Sequence, residues 1–492
     1  MSVLNVSTKA TGVDRRLQAV GIGVETAAVL VGCLVIVLAD TQGLTIIPLV
    51  ADLQKTYGLT TAQASWTLSA PALVSAGLAP ILVRLGDRVG MRNMLLASLV
   101  ATMVANLLCS VAQSFALLVV ARALVGVGAA ATPLGYAILR ARGTNERRTT
   151  RGMATITVAA GVGVAVAYLL GGFIVEAHGS VRTVFWVLTA FSALALLAAW
   201  LILPDGHGRP AEPIDWIGAA GLSIGLVGVV LALTEGNTWG WSSARILTAL
   251  IGGAVALGLW TLYEITQGYP LVNVRRLLNR TAAPTLFIST ALGCLLALVN
   301  LVQVTYLEMP KQTGYGLGLS VLHTAYIVCV NSGAVMLGGT IGMLVVHRVG
   351  PRLVMVTSTA FFSANFLWIA YNHTEIWQYI VFNAVWGVTF ALANSASYAA
   401  FFQDADPSES AMYASANLIA AAAGAGIAPA IFVALLTSRT IANTPIPDPV
   451  VFKDVWIYAA VASVVLIPLA LLVRRTSFTS AAEPAEAVQF GS

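Results

Sequence analysis

One carboxylate, Asp40, lies inside a run that is otherwise almost wholly apolar, VIVLADTQGLTIIPLV at residues 35–50. An ionised carboxylate at membrane depth costs several kcal/mol unless it faces water or a partner. Such a group is therefore a candidate for binding and releasing a proton, with Thr41 beside it. The alternative is a structural role, in which Asp40 hydrogen-bonds within its own helix.

A second ionisable side chain, Arg122, lies about seven residues into another apolar run, which begins at Phe115. An unpaired guanidinium inside a membrane is costly, so Arg122 needs a carboxylate, a carbonyl or water as its partner. An intramembrane charge is by default a functional candidate. The alternative is that the long side chain extends to the membrane surface.

The stretch GDRVGMR, which begins at Gly86, combines glycines with charges. Gly86 and Gly90 permit a tight turn with unusual backbone angles. Asp87, Arg88 and Arg92 can pair with each other or with helix ends. Anchoring at the membrane surface would explain the arginines but not the acid, so this stretch is a candidate gating loop.

The elements that must position these residues are membrane-spanning helices. Hydrophobic residues make up 58% of the 492 and charged residues only 10%, against about 25% charged in soluble domains. A helix needs about 20 apolar residues to cross a bilayer, and such runs recur along the whole chain. We predict about fourteen spans. They lie near 26–50, 65–84, 94–113, 115–139, 153–175, 183–203, 217–234, 244–266, 281–306, 320–346, 353–371, 376–401, 411–437 and 455–473.

The distribution of basic residues predicts the orientation. If the N terminus is cytoplasmic, 19 of the 26 Lys and Arg residues fall on the inside and six on the outside, with Arg122 within a span. Basic residues collect on the cytoplasmic side of membrane proteins. Both termini are therefore expected in the cytoplasm, and the net charge of +5 requires no nucleic-acid partner.

Two pairs of matching segments indicate an internal repeat. YGLTTAQASW at Tyr57 resembles YGLGLSVLHT at Tyr315, and DRVGMR at 87–92 resembles HRVGPR at 347–352. The separations are 258 and 260 residues, so the last six predicted helices would repeat the first six. Transporters are often built from such repeats. The predicted helix pair at about 217–266 then lies outside the repeat.

Several of these motifs resemble a known family. GDRVGMR is similar to the cytoplasmic-loop signature of the major facilitator superfamily, and LADTQGLTIIP resembles a signature of its fourteen-helix drug:proton antiporter subfamily. DWIGAAGLSIGL, LTEGNTWGW and PLVNVRRLLNR resemble that subfamily's pattern around its two extra helices. The similarity extends from about Leu17 to Arg475.

The resemblance implies an all-α polytopic membrane protein of the major facilitator fold, with two six-helix bundles related by a repeat and two extra linker helices. It implies that Asp40 and Arg122 take part in proton coupling and that the loop from Gly86 to Arg92 latches the two halves. The corresponding segments are a cytoplasmic N-terminal segment (1–25), the first bundle (26–203), the linker (204–280), the second bundle (281–474) and a cytoplasmic tail (475–492).

Four positions in three motifs differ from the family's pattern. Val83 replaces a glycine of the loop signature, and Val125 replaces a glutamine that usually follows the membrane arginine. Ala167 and Tyr168 stand where exporters usually carry Gly-Pro. The resemblance predicts a proton-coupled multidrug exporter in a bacterial cytoplasmic membrane. The missing Gly-Pro favours the alternative, a proton symporter or facilitator that imports a small solute.

Polar and aromatic side chains within the predicted spans are candidates for lining a substrate cavity. They are Thr41, Trp66, Tyr136, Tyr168, Asn300, Asn331, Asn394, Trp386 and Tyr398. Such a surface suits an amphipathic, partly aromatic ligand, although polar groups of this kind also join helices by hydrogen bonds. Glu176, Glu264 and Glu308 lie near predicted helix ends, and we interpret them as interfacial.

Enzyme functions are not favoured by the motifs. The chain has no GxxxxGK phosphate loop, and its five histidines show no HExxH or paired metal spacing. We therefore expect a monomeric transporter of a small amphipathic substrate and protons, embedded in a lipid bilayer, without cofactor, metal or nucleic acid. A membrane receptor that does not transport is the alternative from another class.

Overall fold

The computed structural model describes most of the apolar part of the chain. The described residues are 24–128, 131, 134–135, 138, 146–177, 179–203, 215–268, 274–277, 282–402, 416–417, 420–421, 423–425, 427–428, 431–432, 435–436, 439–441 and 446–473. Tyr136 and the side chain of Asp87, both named in the sequence predictions, lie outside this description.

Fifteen helices make up the described chain. They are α1 Val24–Leu44, α2 Val50–Tyr57, α3 Thr61–Val89, α4 Met91–Val111, α5 Phe115–Gly128, α6 Glu146–Glu176, α7 Val181–Ile202, α8 Trp216–Trp239, α9 Ala244–Thr266, α10 Val274–Leu277, α11 Ala282–Glu308, α12 Val321–Val349, α13 Pro351–Tyr371, α14 Ile376–Phe402 and α15 Pro449–Leu472. No strand of a sheet occurs among these residues.

Ten of the described helices are long and apolar enough to cross a membrane. They are α1, α4, α6, α7, α9, α11, α12, α13, α14 and α15. The prediction of an all-helical polytopic membrane protein is therefore confirmed. Of the other four predicted spans, α5 and α8 offer shorter apolar stretches, α3 is not among the ten, and 411–437 is described only in part. The count of fourteen stays a prediction.

The first helix is shorter than predicted. It ends at Leu44 rather than near residue 50, and a single 3-10 turn at Ile47–Leu49 leads into the short helix α2. Pro48 lies in that turn, and a proline has no backbone N–H to continue a helical ladder. Asp40 therefore lies one turn from the end of α1.

Two pairs of helices have equal lengths, and the members of each pair are separated by the same number of residues. Helices α3 and α12 both have 29 residues, α4 and α13 both have 21, and each pair starts 260 residues apart. Thr60 caps α3 through the N–H of Gln63, as Ser320 caps α12 through the N–H of His323. These matching bounds and caps support the internal repeat that the sequence indicated.

Glycines on two faces let α6 pack closely on both neighbours. A Cβ at Gly163 would lie 2.8 Å from the Cβ of Asp40 on α1. A Cβ at Gly161 would lie 2.9 Å from the backbone oxygen of Ser332, and one at Gly172 would lie 2.9 Å from the Cα of Leu322, both on α12. The glycines of α6 thus allow close packing on both sides, and α6 joins α1 to α12.

Helices α8 and α9 form a pair at the side of the first half. The Ser223 hydroxyl of α8 donates to the carbonyl oxygen of Gly77 on α3 at 2.5 Å. Gly228 and Gly253 allow α8 and α9 to touch, since a Cβ at Gly228 would lie 2.9 Å from the Cα of Gly253. Most side chains of α9 are exposed, so α9 forms the outer layer of this pair.

Candidate transport site

Asp40 lies where α1 crosses α6. The Thr41 hydroxyl, which is fully buried, donates to the carbonyl oxygen of Gly163 at 3.3 Å, and the Thr45 hydroxyl donates to the carbonyl oxygen of Thr41 at 2.6 Å. Asp40 itself is half-buried. Among the described residues, no hydrogen bond or ion pair engages its carboxylate. The carboxyl group therefore remains available to a proton or a cation, while its helix is fixed by its neighbour.

Arg122 is held by a backbone carbonyl rather than by an acid. Its side chain is 2% exposed, and its Nε donates to the carbonyl oxygen of Thr67 on α3 at 2.9 Å. Its Nη1 is buried without a hydrogen bond among the described residues. No ion pair between Arg122 and Asp40 occurs in the described part of the chain. The two predicted proton-coupling residues thus lie on different helix contacts, α3 with α5 and α1 with α6.

A buried polar network next to Asp40 was missed by the sequence analysis. Asn106 on α4 donates to the side-chain oxygen of Gln42 at 3.4 Å and to the Ser192 hydroxyl on α7 at 3.2 Å. All three side chains are less than 5% exposed. Gln42 follows Asp40 by two residues, so this network fixes the same turn of α1 from its other side. The sequence feature that could have indicated this network is the pair of isolated amide side chains, Gln42 and Asn106, within apolar runs.

The second half carries amides at positions that correspond to the charges of the first. Asn300 lies 260 residues after Asp40, and Asn383 lies 261 after Arg122, as Ile376 does after Phe115 at the starts of α14 and α5. Asn383 donates to the side-chain oxygen of Gln303 at 3.0 Å, and Gln303 donates to that of Asn300 at 3.4 Å. A neutral chain of amides therefore replaces the ionisable groups.

The predicted gating loop is not a loop in the structure. Helix α3 continues through Gly86 to Val89, and only Gly90, with φ +102°, separates it from α4. Gly86 is helical, and a larger residue would not fit there without a shift, because its Cβ would lie 2.8 Å from the Leu134 side chain. Arg92 donates through Nη2 to the carbonyl oxygen of Trp200 at 2.9 Å, whereas Arg88 is exposed. Gly90 therefore makes a sharp corner between two helices, whereas Gly86 lies within the first of them.

The predicted cavity residues lie in different surroundings. Trp66 packs against Trp239 of α8 with ring centroids 6.2 Å apart. Trp386 is fully buried among the rings of Phe362 and Phe366, in the core of the second half, and is better described as a core residue. Tyr168 is 1% exposed and lies in a cluster with Ala325 and Val328 of α12.

The remaining predicted cavity residues lie on α12 and α14. Asn331 is buried where α12 crosses α14. A Cβ at Gly387 of α14 would lie 3.0 Å from the side-chain oxygen of Asn331, so the two helices are close at this point. Asn394 is half-buried. Tyr398 interacts with Asn417, which accepts a hydrogen bond from the Ser289 hydroxyl. This second polar cluster joins α11 and α14.

Comparison with known proteins decides the family. The profile described as Major Facilitator Superfamily matches residues 32–429 of this chain. The chain belongs to the Major Facilitator Superfamily. The matched range begins within α1 and extends beyond α14, so it includes Asp40 and Arg122 and both halves of the repeat. A membership in this superfamily identifies a transporter rather than an enzyme.

Several curated relatives are similar over part of their length. An uncharacterised transporter of Mycobacterium tuberculosis is 30% identical over 231 residues, which cover 46% of this chain and 33% of the relative. A multidrug resistance protein B homolog of the same species is 27% identical over 65% of this chain and 60% of its own length. The chain thus spans less than two thirds of these two relatives. The methyl viologen resistance protein SmvA of Salmonella typhimurium is 25% identical over 80% of this chain and 79% of its own length.

Solved structures show the same fold at low identity. The human organic anion transporter MFSD10 (TETRAN) matches 91% of this chain and 99% of its own with a TM-score of 0.66 and 14% identity. The nucleoside transporter NupG matches 92% of this chain and 100% of its own with a TM-score of 0.60 and 16% identity. These likenesses establish the superfamily's fold for this chain.

Proposed function

We propose that this superfamily member is a proton-coupled secondary transporter that exports amphipathic compounds, cationic drugs included, or a natural product. The observation that carries the proposal is the position of Asp40. Its carboxylate lies at the α1–α6 crossing without a partner among the described residues, while Thr41 fixes that crossing through Gly163. The relatives whose names refer to multidrug and methyl viologen resistance support the choice of substrate class.

The geometry suggests how the exchange proceeds. Asp40 binds a proton from the outside and releases it inside, and a cationic substrate competes for the same carboxylate. An intramembrane acid without a counter-ion favours its neutral form, so it is neutralised by either ligand. Because α6 contacts both α1 and α12, binding of a proton or a cation at Asp40 can alter the contact between the two halves.

The number of spans, the segment boundaries, the oligomeric state and the orientation in the membrane belong to the same proposal. We infer fourteen spans, the segments 1–25, 26–203, 204–280, 281–474 and 475–492 as assigned from the sequence, a monomer, and a bacterial cytoplasmic membrane with both termini inside. A reporter fused after Arg475 should give a cytoplasmic signal, and one placed in the 438–454 segment should give an external signal. An external signal after Arg475 would contradict the even number of spans.

A second candidate, import by proton symport, is favoured by one observation. Ala167 and Tyr168 occupy the position of the exporters' Gly-Pro, and Tyr168 is packed against α12. The two directions differ in vesicle experiments. An exporter accumulates substrate in everted vesicles, whereas a symporter accumulates it in right-side-out vesicles.

The deciding experiment replaces Asp40 with asparagine, which keeps size and hydrogen bonding but cannot titrate. In everted vesicles with an acidic lumen, the wild-type protein should release protons when ethidium, a cationic amphipathic dye, is added. Asp40→Asn should abolish this proton release while ethidium binding weakens only in part. Asp454→Asn is a matched control, because this half-buried carboxylate pairs with Arg439 at the surface. Proton release at the wild-type rate by Asp40→Asn would exclude Asp40 as the coupling residue.

A further inference from the structure

Three buried polar side chains lie together where the two halves meet, and two of them have an atom without a hydrogen bond among the described residues. Those atoms are Oε1 of Glu308 and the hydroxyl of Tyr168, and the third group is the hydroxyl of Thr324. Glu308 ends α11, Tyr168 lies on α6, and Thr324 lies in the first turn of α12. The carboxylate interacts electrostatically with the Tyr168 hydroxyl, and the Thr324 side chain is a hydrogen-bonding partner of the same carboxyl group. Buried polar groups are normally fully hydrogen-bonded, so two such unpaired atoms in one place require an explanation.

The surroundings of this cluster are apolar and connect it to the proposed proton site. Tyr168 packs with Ala325 and Val328, and Leu44 of α1 and Val304 of α11 pack against the same cluster. Leu44 lies one turn outward from Asp40, and Val304 lies one turn before Glu308. At 1.5 Å per residue, Glu308 is about 12 Å farther along the helix axes than Asp40. The two acids therefore lie at different depths along the same boundary between the two halves.

The other titratable groups on the packed elements lie farther out. The Ser320 hydroxyl donates to Glu176 of α6 at 3.2 Å and contacts Nδ1 of His323 at 2.8 Å. Lys311, on the turn after α11, is exposed. No ion pair of Glu308 with a basic residue occurs within the described part of the chain. Glu308 is thus an acid beneath an outer polar layer, with hydroxyl groups as its neighbours.

We propose that Glu308 is a second proton-carrying residue, which receives protons from the outside and passes them to Asp40. The inference rests on the proposed function. When the halves separate on the outside, Tyr168 moves away with α6 and Oε1 of Glu308 meets external water. A proton then binds Oε1, leaves it through water in the opened cleft, and binds the carboxylate of Asp40. In the closed arrangement seen here, the neutral carboxyl group can donate to a neighbouring hydroxyl.

This proposal differs from the interpretation of Glu308 as an interfacial residue. The sequence places it at the end of an apolar run, which is typical of a residue at the membrane surface. The packing of α6 and α12 at the end of α11 places Tyr168 and Thr324 beside the buried carboxyl group. The burial arises from residues 140 and 16 positions away in the chain, Tyr168 and Thr324, so the local pattern carried no sign of it.

The test is the dependence of transport on the pH of the outer side, which is the lumen of everted vesicles. Glu308→Gln should lower ethidium-driven proton release about tenfold at a lumen of about pH 7.5 and should approach the wild-type rate at about pH 5.5, where protons reach Asp40 directly. Glu375→Gln, a matched change of an exposed glutamate on the same side, should keep the wild-type profile. Asp40→Asn should show no recovery at any pH.

The outcomes separate the two proposals. A wild-type protein that releases no protons would overturn the proposed function itself. If the wild type exchanges and Glu308→Gln matches it at every pH, or stays low without recovery in acid, then the relay role is wrong. Glu308→Asp keeps a titratable group and should retain the acid dependence of the wild type. If Glu308→Gln does not accumulate, a loss of that dependence in Glu308→Asp would overturn the proposal.

Discussion

The two intramembrane charges of the first half are satisfied in different ways at the scale of single residues. The guanidinium of Arg122 donates to the Thr67 carbonyl, whereas the carboxylate of Asp40 has no partner among the described residues. Removing one partner of a buried charge is costly because the charge is left uncompensated. Arg122 therefore combines a structural contact with a free positive charge at Nη1, and the two contributions can be separated by substitution.

Arg122→Gln removes the charge but keeps an N–H donor for the Thr67 carbonyl, while Arg122→Lys keeps the charge in a different shape. If the charge serves proton transfer, Arg122→Gln should accumulate normally and lose proton-coupled transport about a hundredfold. Arg122→Lys should retain more activity than Arg122→Gln. The measurement is initial ethidium transport in everted vesicles at matched protein amounts. A Gln variant that transports as well as the wild type would show a structural role only.

His373, in the turn after α13, provides a prediction of pH-dependent stability. Its ring lies edge-on to Tyr306 at 5.3 Å, its Nδ1 is 3.1 Å from the Ile369 carbonyl oxygen, and burial lowers its pKa from the usual 6.5. A base whose pKa is lowered by folding stabilises the fold above its unfolded pKa, and this stability is lost as the pH falls through the folded pKa. The unfolding temperature in detergent should therefore decrease below about pH 6.5.

The variant His373→Phe keeps a ring against Tyr306 but does not titrate. Its unfolding temperature should decrease less between about pH 7 and pH 5 than that of the wild type. His347→Phe is the control, because His347 is exposed at the far end of α12. An equal decrease in His373→Phe and the wild type would assign the acid sensitivity to other groups.

At the scale of elements, α6 is the helix on which the site depends. Its glycines face α1 on one side and α12 on the other, so both contacts are made nearly backbone to backbone. Close packing through small residues replaces the hydrophobic driving force that helices lack within lipid. The position of the Asp40 carboxylate is therefore set by the absence of a side chain at Gly163.

Gly163→Val should separate α1 from α6. The new Cβ would lie 2.8 Å from the Cβ of Asp40 and 3.0 Å from the Cα of Val37, and backbone cannot yield as a flexible side chain would. Overpacking of this kind costs about 1–3 kcal/mol. We expect a lower unfolding temperature and loss of proton-coupled transport. Gly252→Val on α9, where no atom lies within 4 Å of the Cβ position, should change neither.

The sequence predicted helices and charges better than it predicted contacts. Composition and run length identified membrane helices because burial in lipid requires apolar side chains along a whole span. A tight turn was predicted at Gly90, and the structure has a corner there and another at Gly350, 260 residues later. The loop around Gly86 was predicted wrongly, because a small residue packed beneath Leu134 has the same sequence signal as one in a turn.

Partners from distant segments could not be predicted in the same way. The Thr67 carbonyl that binds Arg122 is a backbone group, and every residue has one. The hydrogen bond between Asn106 and Ser192 spans 86 residues, and no spacing rule connects them. Trp386 carried the same signal as a ligand-binding aromatic, although its surroundings are a core of rings.

At the scale of the whole molecule, the two halves meet along α6 and α12. Contacts run from Gly161 and Ser332 to Gly172 and Leu322, and the Glu176–Ser320 hydrogen bond lies beyond them. In a transporter that alternates its access, these contacts must open and close while each half keeps its own packing. A substitution at Gly172 should therefore change the balance between the two arrangements rather than unfold either half.

Gly172→Val should favour the arrangement that is open to the outside. Its Cβ would lie 2.9 Å from the Cα of Leu322, so closure costs about 1–3 kcal/mol more. The reporter is Ala325→Cys, at a fully buried position of α12, in a chain whose four native cysteines are replaced by alanine. A membrane-impermeant maleimide added to whole cells should label it about tenfold faster in the Gly172→Val background. Unchanged labelling, as expected for Gly258→Val on α9, would contradict a role of this contact in closure.

The Thr41–Gly163 hydrogen bond also has a consequence for biosynthesis, because it joins residues that are 122 positions apart. A ribosome adds about 5–20 residues per second, so α6 leaves it on the order of ten seconds after α1. During this interval the newly made α1 carries Asp40 and Thr41 without α6, which later packs against them. We therefore expect the insertion machinery to hold α1 against a protein surface until translation has delivered α6.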